Sequence, residues 1–233
     1  MKPLNTISIL IIATITCWGQ TNALVSNSSA ITNLPDGVFL DRQSFVDSAK
    51  FLTVEIVIPK TNVKELQSAQ KLLISLIEKE KIKFVETITP DPRMRNAASG
   101  NGFTVFPQEL YKDNKIISFL FEISYYHAGA AHPKSDFYTF NYDIQKQRQL
   151  NITDYFKLES DKDKDALVQL INSTFDNENI KVKKFYDFDF NIKNETVTFN
   201  FDDYEVASYA FGLQRLPFNK SQIARFINSE YQE

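Results

Sequence analysis

Cysteine is almost absent from this chain, since Cys17 is the one cysteine among 233 residues. A small secreted scaffold held by disulfide bonds needs several paired cysteines, so the sequence excludes that class. If residues 1–23 are removed as a leader, the mature chain keeps no thiol, and a cysteine nucleophile is excluded as well. The alternative for Cys17 is a lipid anchor. Residues 14–16 lack the leucine and small residues usual before a lipoprotein cysteine, which makes this the secondary interpretation.

An excess of positive charge is also missing. The chain has 26 Lys and Arg against 29 Asp and Glu, which gives a formal net charge of −3. Nucleic acids and anionic membrane surfaces are attracted by basic patches, so both are poor partners for this protein. A mildly acidic protein is better suited to a basic partner.

Long hydrophobic runs are absent too. The apolar run at residues 7–15 follows a single lysine and is too short to span a membrane, which takes about 20 apolar residues. A charged start, a short apolar segment and a small-residue exit are the layout of a secretory signal peptide, and we place its end at Ala23. The sequence therefore predicts a periplasmic or secreted bacterial protein with no transmembrane helix in the mature chain.

Aromatic residues are plentiful, with 20 Phe and 10 Tyr, and they provide apolar area for one good core. Strands are predicted where apolar residues alternate, at 51–59, 115–126 and 137–144 and in a hairpin over 185–201. Helices are predicted where apolar residues recur every three or four positions, at 61–84, 149–156, 161–175 and 219–231. Alternating strands favour an α+β fold, mainly an antiparallel β-sheet with helices packed on one face.

The predicted domain organisation is simple. Residues 24–44 are polar and irregular, which predicts a linker or N-terminal arm. Residues 45–230 are predicted to form a single extracytoplasmic α+β domain, with two sub-halves that meet near 127–136. Residues 90–102 are predicted to be a long loop, and the hairpin is predicted to turn near Lys193 and Asn194.

One stretch, YYHAGAAHPKSD at 125–136, contains both histidines of the chain and connects two predicted strands. Histidines, tyrosines and charged residues at the ends of strands are candidates for a binding surface. The candidate binding residues are Tyr125, Tyr126, His127, His132, Lys134, Asp136, Tyr204 and Tyr209. The simpler alternative is that this stretch is only a structural turn.

Catalytic and metal-binding patterns are weak. His127, His132 and Asp136 would need a further metal ligand that the sequence does not indicate. The chain has no Gly-x-Ser-x-Gly elbow for a nucleophilic serine. The acidic stretch 161–165 begins like a calcium loop, but alanine and asparagine stand where such a loop needs glycine and glutamate. The sequence predicts no metal and no cofactor.

Two pairs of carboxylates, Asp187 with Asp189 and Asp202 with Asp203, have the spacing of a possible acid–base pair. A solvated strand face is the simpler interpretation, because the first pair alternates with Phe188 and Phe190. We therefore predict that Asp187 and Asp189 lie on the solvent side of their strand.

Several motifs, taken in order, resemble those of a bacterial extracytoplasmic family. They are GAAHP at 129–133, NYD at 141–143, LNITDYF at 150–156, DDYEVASYAFG at 202–212 and LPF at 216–218. The family includes the ectodomain of the sigma-V anti-sigma factor, which is a lysozyme receptor, and the N-terminal region of a peptidoglycan deacetylase. Its members add a transmembrane helix or a catalytic metal domain to this module, so the resemblance implies the binding module alone.

The resemblance and the acidic charge favour a secreted or periplasmic binding protein without catalysis, whose partner is a lysozyme-like muramidase that it binds or inhibits. A cell-wall glycan-binding module that recognises peptidoglycan is the first alternative. A hydrolase or metal enzyme that uses His127 and His132 is the second, and a structural domain of the envelope is the third.

Overall fold

Two β-sheets and four α-helices make up the described part of the chain in this computed structural model, which covers residues 34–91, 100–186 and 188–232. The strands are β1 (Val38–Asp47), β2 (Leu52–Thr61), β3 (Asn101–Lys112), β4 (Ile116–Tyr126), β5 (Lys134–Asp143), β6 (Arg148–Gln149), β7 (Asp189–Lys193), β8 (Thr196–Phe201) and β9 (Gln214–Asn219). The helices are α1 (Gln67–Thr87), α2 (Ile152–Tyr155), α3 (Asp161–Asn172) and α4 (Lys220–Ile223). Within these residues, no helix has both the length and the apolarity needed to cross a membrane. The predicted signal peptide, with Cys17, lies outside the described residues.

The first sheet has the strand order β1-β2-β3-β4-β5-β6. All neighbouring pairs are antiparallel except β2 and β3, which are parallel and are therefore joined by a crossover that contains α1. Leu73 and Ile77 of α1 are 0 % and 1 % exposed, and they share one core with Phe103 of β3 and Phe121 of β4. Each such side chain stabilises the fold by about 1.5–3 kcal/mol through burial.

The second sheet has the order β7-β8-β9 and is antiparallel throughout. Its apolar residues form a second core with α2, α3 and α4, in which phenylalanines such as Phe188, Phe199 and Phe218 meet edge to face. The start of α3 is fixed by a capping box, in which Ser160 and Asp163 satisfy each other's backbone N–H.

Side chains, rather than a shared strand, join the two sheets. β7 pairs with β8 on one edge only, and its other edge faces β4 and β5. The backbone N–H of Ile192 donates to Ser118 Oγ at 2.7 Å, and Asn141 Nδ2 donates to the carbonyl oxygen of Phe190 at 2.7 Å. Ser118 in turn donates to Asn141 Oδ1 at 2.6 Å, and both residues are at least 98 % buried. We call these four residues the sheet junction; it satisfies the free edge of β7 away from water.

The predicted α+β fold is confirmed, including the strands that became β2, β4 and β5 and the hairpin that turns at Asn194, whose φ is 52°. Three details are wrong. Residues 38–44 are not an irregular arm, because they pair with β2 as the edge strand β1, in which polar and apolar residues alike are exposed and no alternation shows. β3 begins inside the predicted loop 90–102, and β9 was not predicted.

The sheet junction predicts the effect of Asn141→Ala. The change leaves the Phe190 carbonyl and the Ser118 hydroxyl without their partner in a dry environment, and each such loss costs about 1–3 kcal/mol. We expect the free energy of unfolding to fall by about 2–4 kcal/mol in urea denaturation. Asn179→Ala, at an exposed asparagine, is the control and should change it by less than about 0.5 kcal/mol. Equal effects of the two substitutions would contradict this account of the junction.

Candidate functional site

The stretch between β4 and β5 is a tight turn held from two sides. Gly129 adopts a φ of 86°, a conformation that glycine takes without strain. The N–H of Ala130 donates to the carbonyl oxygen of His127 at 2.9 Å and closes the turn. The N–H of Ala128 donates to Asn101 Oδ1 at 2.8 Å, which anchors the turn to the start of β3. The turn therefore places both histidines at the same end of the first sheet.

This turn borders a cavity of about 300 Å³, which we call the loop cavity. Five of the predicted binding residues line it: Tyr125, His127, His132, Lys134 and Asp136. The opposite wall is the C-terminal half of α1, with Glu80, Lys83, Phe84 and Thr87. The sequence does not indicate this wall, because the helix is predicted from its apolar repeat only as an element of the core. The crossover topology is what places the end of α1 beside the turn.

The floor of the loop cavity is aromatic and its rim is charged. The ring centroid of Phe84 lies 5.7 Å from that of Tyr125 and 5.0 Å from that of His127. Burial raises the pKa of Tyr125, so its phenol stays protonated at neutral pH. Lys134 Nζ lies 2.7 Å from the carboxylate of Asp136 and 5.9 Å from the centroid of the Tyr125 ring. An apolar group or the C–H face of a sugar ring can pack on such a floor, and polar groups of the same ligand can bind at the rim.

A stack of three rings stands beside the loop cavity, and we call it the aromatic row. The centroids of His132 and Tyr209 are 3.8 Å apart with an interplanar angle of 19°, and those of Tyr209 and Tyr204 are 5.7 Å apart. Tyr204 ends the row and is 59 % exposed. The eighth predicted residue, Tyr126, is not part of the cavity wall; its hydroxyl donates to the carbonyl oxygen of Ala130 at 3.1 Å.

Three aspartates take the place of a neighbouring strand along the free edge of β5. The N–H of Ser135 donates to Asp203 at 3.2 Å, the N–H of Phe137 donates to Asp202 at 2.6 Å, and the hydroxyl of Thr139 donates to Asp189. We call Asp189, Asp202 and Asp203 the acidic edge. Among the described residues, none of the three forms an ion pair. The acidic edge runs along β5 from the aromatic row to the second sheet.

Burial raises the pKa of Asp202 to about 8, and the nearby carboxylate of Asp136 adds to this shift, while the N–H of Phe137 opposes it. Burial likewise raises the pKa of Asp189 to about 6, against the hydrogen bond from Thr139. At pH 7, Asp202 is therefore largely protonated and Asp189 largely ionised. The prediction that Asp189 lies on a solvated strand face is wrong, because its carboxylate faces β5, accepts a hydrogen bond from Thr139 and is only partly exposed. Asp187 lies outside the described residues.

The surroundings of the two histidines bear on the enzyme alternative. His127 packs on Phe84, while His132 stacks on Tyr209 and places its Nδ1 2.9 Å from the carbonyl oxygen of Pro133. Over residues 34–91, 100–186 and 188–232, no three His, Cys, Asp or Glu side chains are grouped so that they could hold a metal ion. Within that part of the chain, the two imidazoles contact aromatic rings and backbone.

The raised pKa values predict a fold that weakens as pH rises. Between the ordinary carboxyl pKa of 3.8 and a folded pKa of about 8, the folded state binds more protons at Asp202 than the unfolded state does. Protonated Asp202 therefore makes its full contribution to the free energy of unfolding below about pH 4, and this contribution is lost as pH rises to about 8.

We expect the urea midpoint to fall from pH 5 to pH 8. We expect it to fall less in Asp202→Asn, which keeps an acceptor oxygen for Phe137. Asp165→Asn, at an exposed carboxylate in α3, should keep the wild-type slope; an unchanged slope in Asp202→Asn would refute the assignment.

Comparison with known proteins finds a likeness of fold. Neither the models of protein families nor the curated proteins match the chain. Two of the solved structures that share its fold are DUF3298 family proteins. One is a DUF3298 family protein from Pseudomonas aeruginosa PAO1, with 13 % identity and a TM-score of 0.53 over 83 % of this chain and 96 % of that one. The other is a DUF3298 family member from Bacteroides fragilis NCTC 9343, with 15 % identity and a TM-score of 0.55 over 82 % and 94 %. At these identities the likeness shows the fold alone: the chain has the α+β fold of DUF3298 proteins, a domain of unknown function.

Proposed function

We propose that this protein is an extracytoplasmic binding domain without catalysis of its own, and that it holds a basic protein partner, a lysozyme-like muramidase, against the aromatic row and the acidic edge. The observation that carries the proposal is the acidic edge itself. Its three carboxyl groups lie side by side on β5 without an ion pair among the described residues. Lysine and arginine side chains of a partner would favour the ionised form of Asp202, which is otherwise largely protonated at pH 7, and would supply positive charge to the edge.

The aromatic row supplies the anchor that such an interface needs. Tyr204 and Tyr209 belong to the same segment as Asp202 and Asp203, so rings and carboxylates are presented together. Tyrosine is enriched among the residues that dominate interface energies, because it buries a large rigid area and keeps a polar end. An exposed ring beside unpaired carboxylates suits an arginine- or lysine-rich surface.

The backbone at Tyr204 supports a functional role for this residue. Its φ is 68°, a left-handed conformation that costs a bulky residue about 1–3 kcal/mol. The side chain is 59 % exposed, so its own packing does little to offset that cost. Strain at an exposed tyrosine is understandable if the ring is held out for a partner.

The sequence resemblance supports the identity and location of the partner. The segment 202–212 is the longest of the motifs that resemble the family to which the lysozyme receptor belongs, and it contains two members of the acidic edge and both tyrosines of the aromatic row. A signal peptide at residues 1–23 would deliver the protein to the periplasm or the outside of the cell, where muramidases act.

Calorimetric titration of the protein with c-type lysozyme tests the proposal. We expect one-to-one binding that is stronger at low salt than at physiological salt, because exposed charges are screened by ions. The double variant Tyr204→Ala/Tyr209→Ala should weaken binding by about tenfold or more, the effect of losing an interface anchor.

Phe45→Ala is the matched control for this titration. Phe45 is an aromatic residue of β1 with 48 % exposure, and it lies at the other edge of the first sheet. Its loss should leave binding unchanged. Absence of heat and of lysozyme inhibition at low salt would remove the muramidase as the partner.

A second candidate function, binding of cell-wall glycan, is favoured by the loop cavity. Sugar rings pack their C–H faces on aromatic side chains, and the floor formed by Phe84, Tyr125 and His127 offers such a surface. The ion pairs Glu80–Lys83 and Lys134–Asp136 at its rim could bind sugar hydroxyls.

Sedimentation with purified peptidoglycan separates the two candidates. Glycan binding predicts retention of the protein on the pellet, competition by chitotetraose, and at least a threefold loss of retention in His127→Ala, which removes an exposed ring of the floor. Tyr204→Ala should not affect retention, because Tyr204 lies outside the loop cavity. Failure of chitotetraose to compete would count against a glycan site.

A further inference from the structure

A second cavity, of about 240 Å³, lies at the end of the acidic edge farthest from the aromatic row. We call it the junction cleft, because it lies between β5, β7 and the start of α2. Its lining residues are Thr139, Asn141, Gln149, Leu150, Asn151, Ile152, Thr153, Phe188, Asp189 and Phe190. Its volume is below the roughly 300 Å³ of pockets that take drug-sized ligands, so it suits a single small group.

Most polar groups of the junction cleft are already used by the fold. Asn141 bonds to both Ser118 and Phe190, and Asn151, the N-cap residue of α2, donates its backbone N–H to Asp154. Among the described residues, the amide of Gln149 and the hydroxyl of Thr153 form no side-chain hydrogen bond. These two groups and the carboxylate of Asp189 remain for a ligand.

The charge of Asp189 is not needed for the fold. The carboxylate accepts hydrogen bonds from the hydroxyl and the backbone N–H of Thr139, and the amide oxygen of an asparagine would accept them equally well. Burial opposes ionisation here, and the nearby carboxylates of Glu205 and Asp136 oppose it further. No ion pair within the described residues compensates this charge, and an uncompensated buried charge is costly.

We propose that the junction cleft binds one primary ammonium or guanidinium group, with Asp189 as its counter-ion and Gln149 and Thr153 as additional hydrogen-bond acceptors. A cation with several N–H donors matches three acceptor oxygens around a small cavity. The walls of Phe188 and Phe190 would contact the alkyl chain that carries the group. Either a lysine- or arginine-type side chain or a free small amine provides this chemistry.

Titration of the ¹⁵N-labelled protein, followed by NMR at pH 7.5 and constant ionic strength, tests the inference. The probes are n-butylammonium, Nα-acetyl-lysine N-methylamide and glucosamine, with sodium chloride as the salt control. We expect saturable shifts of the Thr139, Gln149 and Thr153 amides in the millimolar range. Asp189→Asn should weaken the effect at least tenfold, while Asp165→Asn should leave it unchanged.

The probes distinguish the two sources of the cation. Binding of the lysine analogue without glucosamine points to a side chain, the reverse points to a free amine, and binding of both supports the shared chemistry. If Asp189→Asn does not fold, Gln149→Ala and Thr153→Val should each weaken binding about threefold. Shifts no larger than those with sodium chloride, or shifts unchanged by these variants, would overturn the inference. No muramidase is present, so the result is separate from the partner proposed above.

Discussion

The polar contact between Ser118, Asn141 and the open edge of β7 is the constraint on which the rest of the molecule depends. The protein has two apolar cores, one under each sheet, and the core of the second sheet also includes Ile116 of β4 and contacts Tyr111 of β3. Apolar packing is tolerant of sliding, whereas two hydrogen bonds to specific backbone groups fix the position of one sheet on the other. The buried serine and asparagine therefore specify the arrangement, and the phenylalanines supply most of its stability.

The candidate binding surface follows from that arrangement. With β7 held against β4 and β5, the segment after β8 is brought to the edge of β5, and Asp202 and Asp203 meet its free N–H groups. The same segment then carries Tyr209 onto the ring of His132. The aromatic row, the acidic edge and the junction cleft thus lie along one strand, although their residues come from three distant parts of the sequence.

The sequence predicts the fold class well because strongly alternating segments such as β4 and β5 reveal both their type and their buried face. It also predicts the turn that carries His127 and His132, since a glycine among small residues between two strands marks a turn. It misses β1, an edge strand in which polar and apolar residues alike are exposed, and β3, whose start lies in a glycine- and asparagine-containing stretch. It also misplaces Asp189, because spacing along one strand does not reveal that another sheet covers it.

The sheet has two unlike edges, and this difference bears on how the protein avoids aggregation. An unpaired strand edge is a template on which another chain can add, and so build fibres. On the β5 side, carboxyl groups already occupy the N–H groups that an added strand would need, and a new strand's carbonyl oxygens would face them unfavourably. The acidic edge thus blocks growth of the sheet in that direction. Of the two edges, β1, with exposed Phe39 and Phe45, is the one where another chain can add.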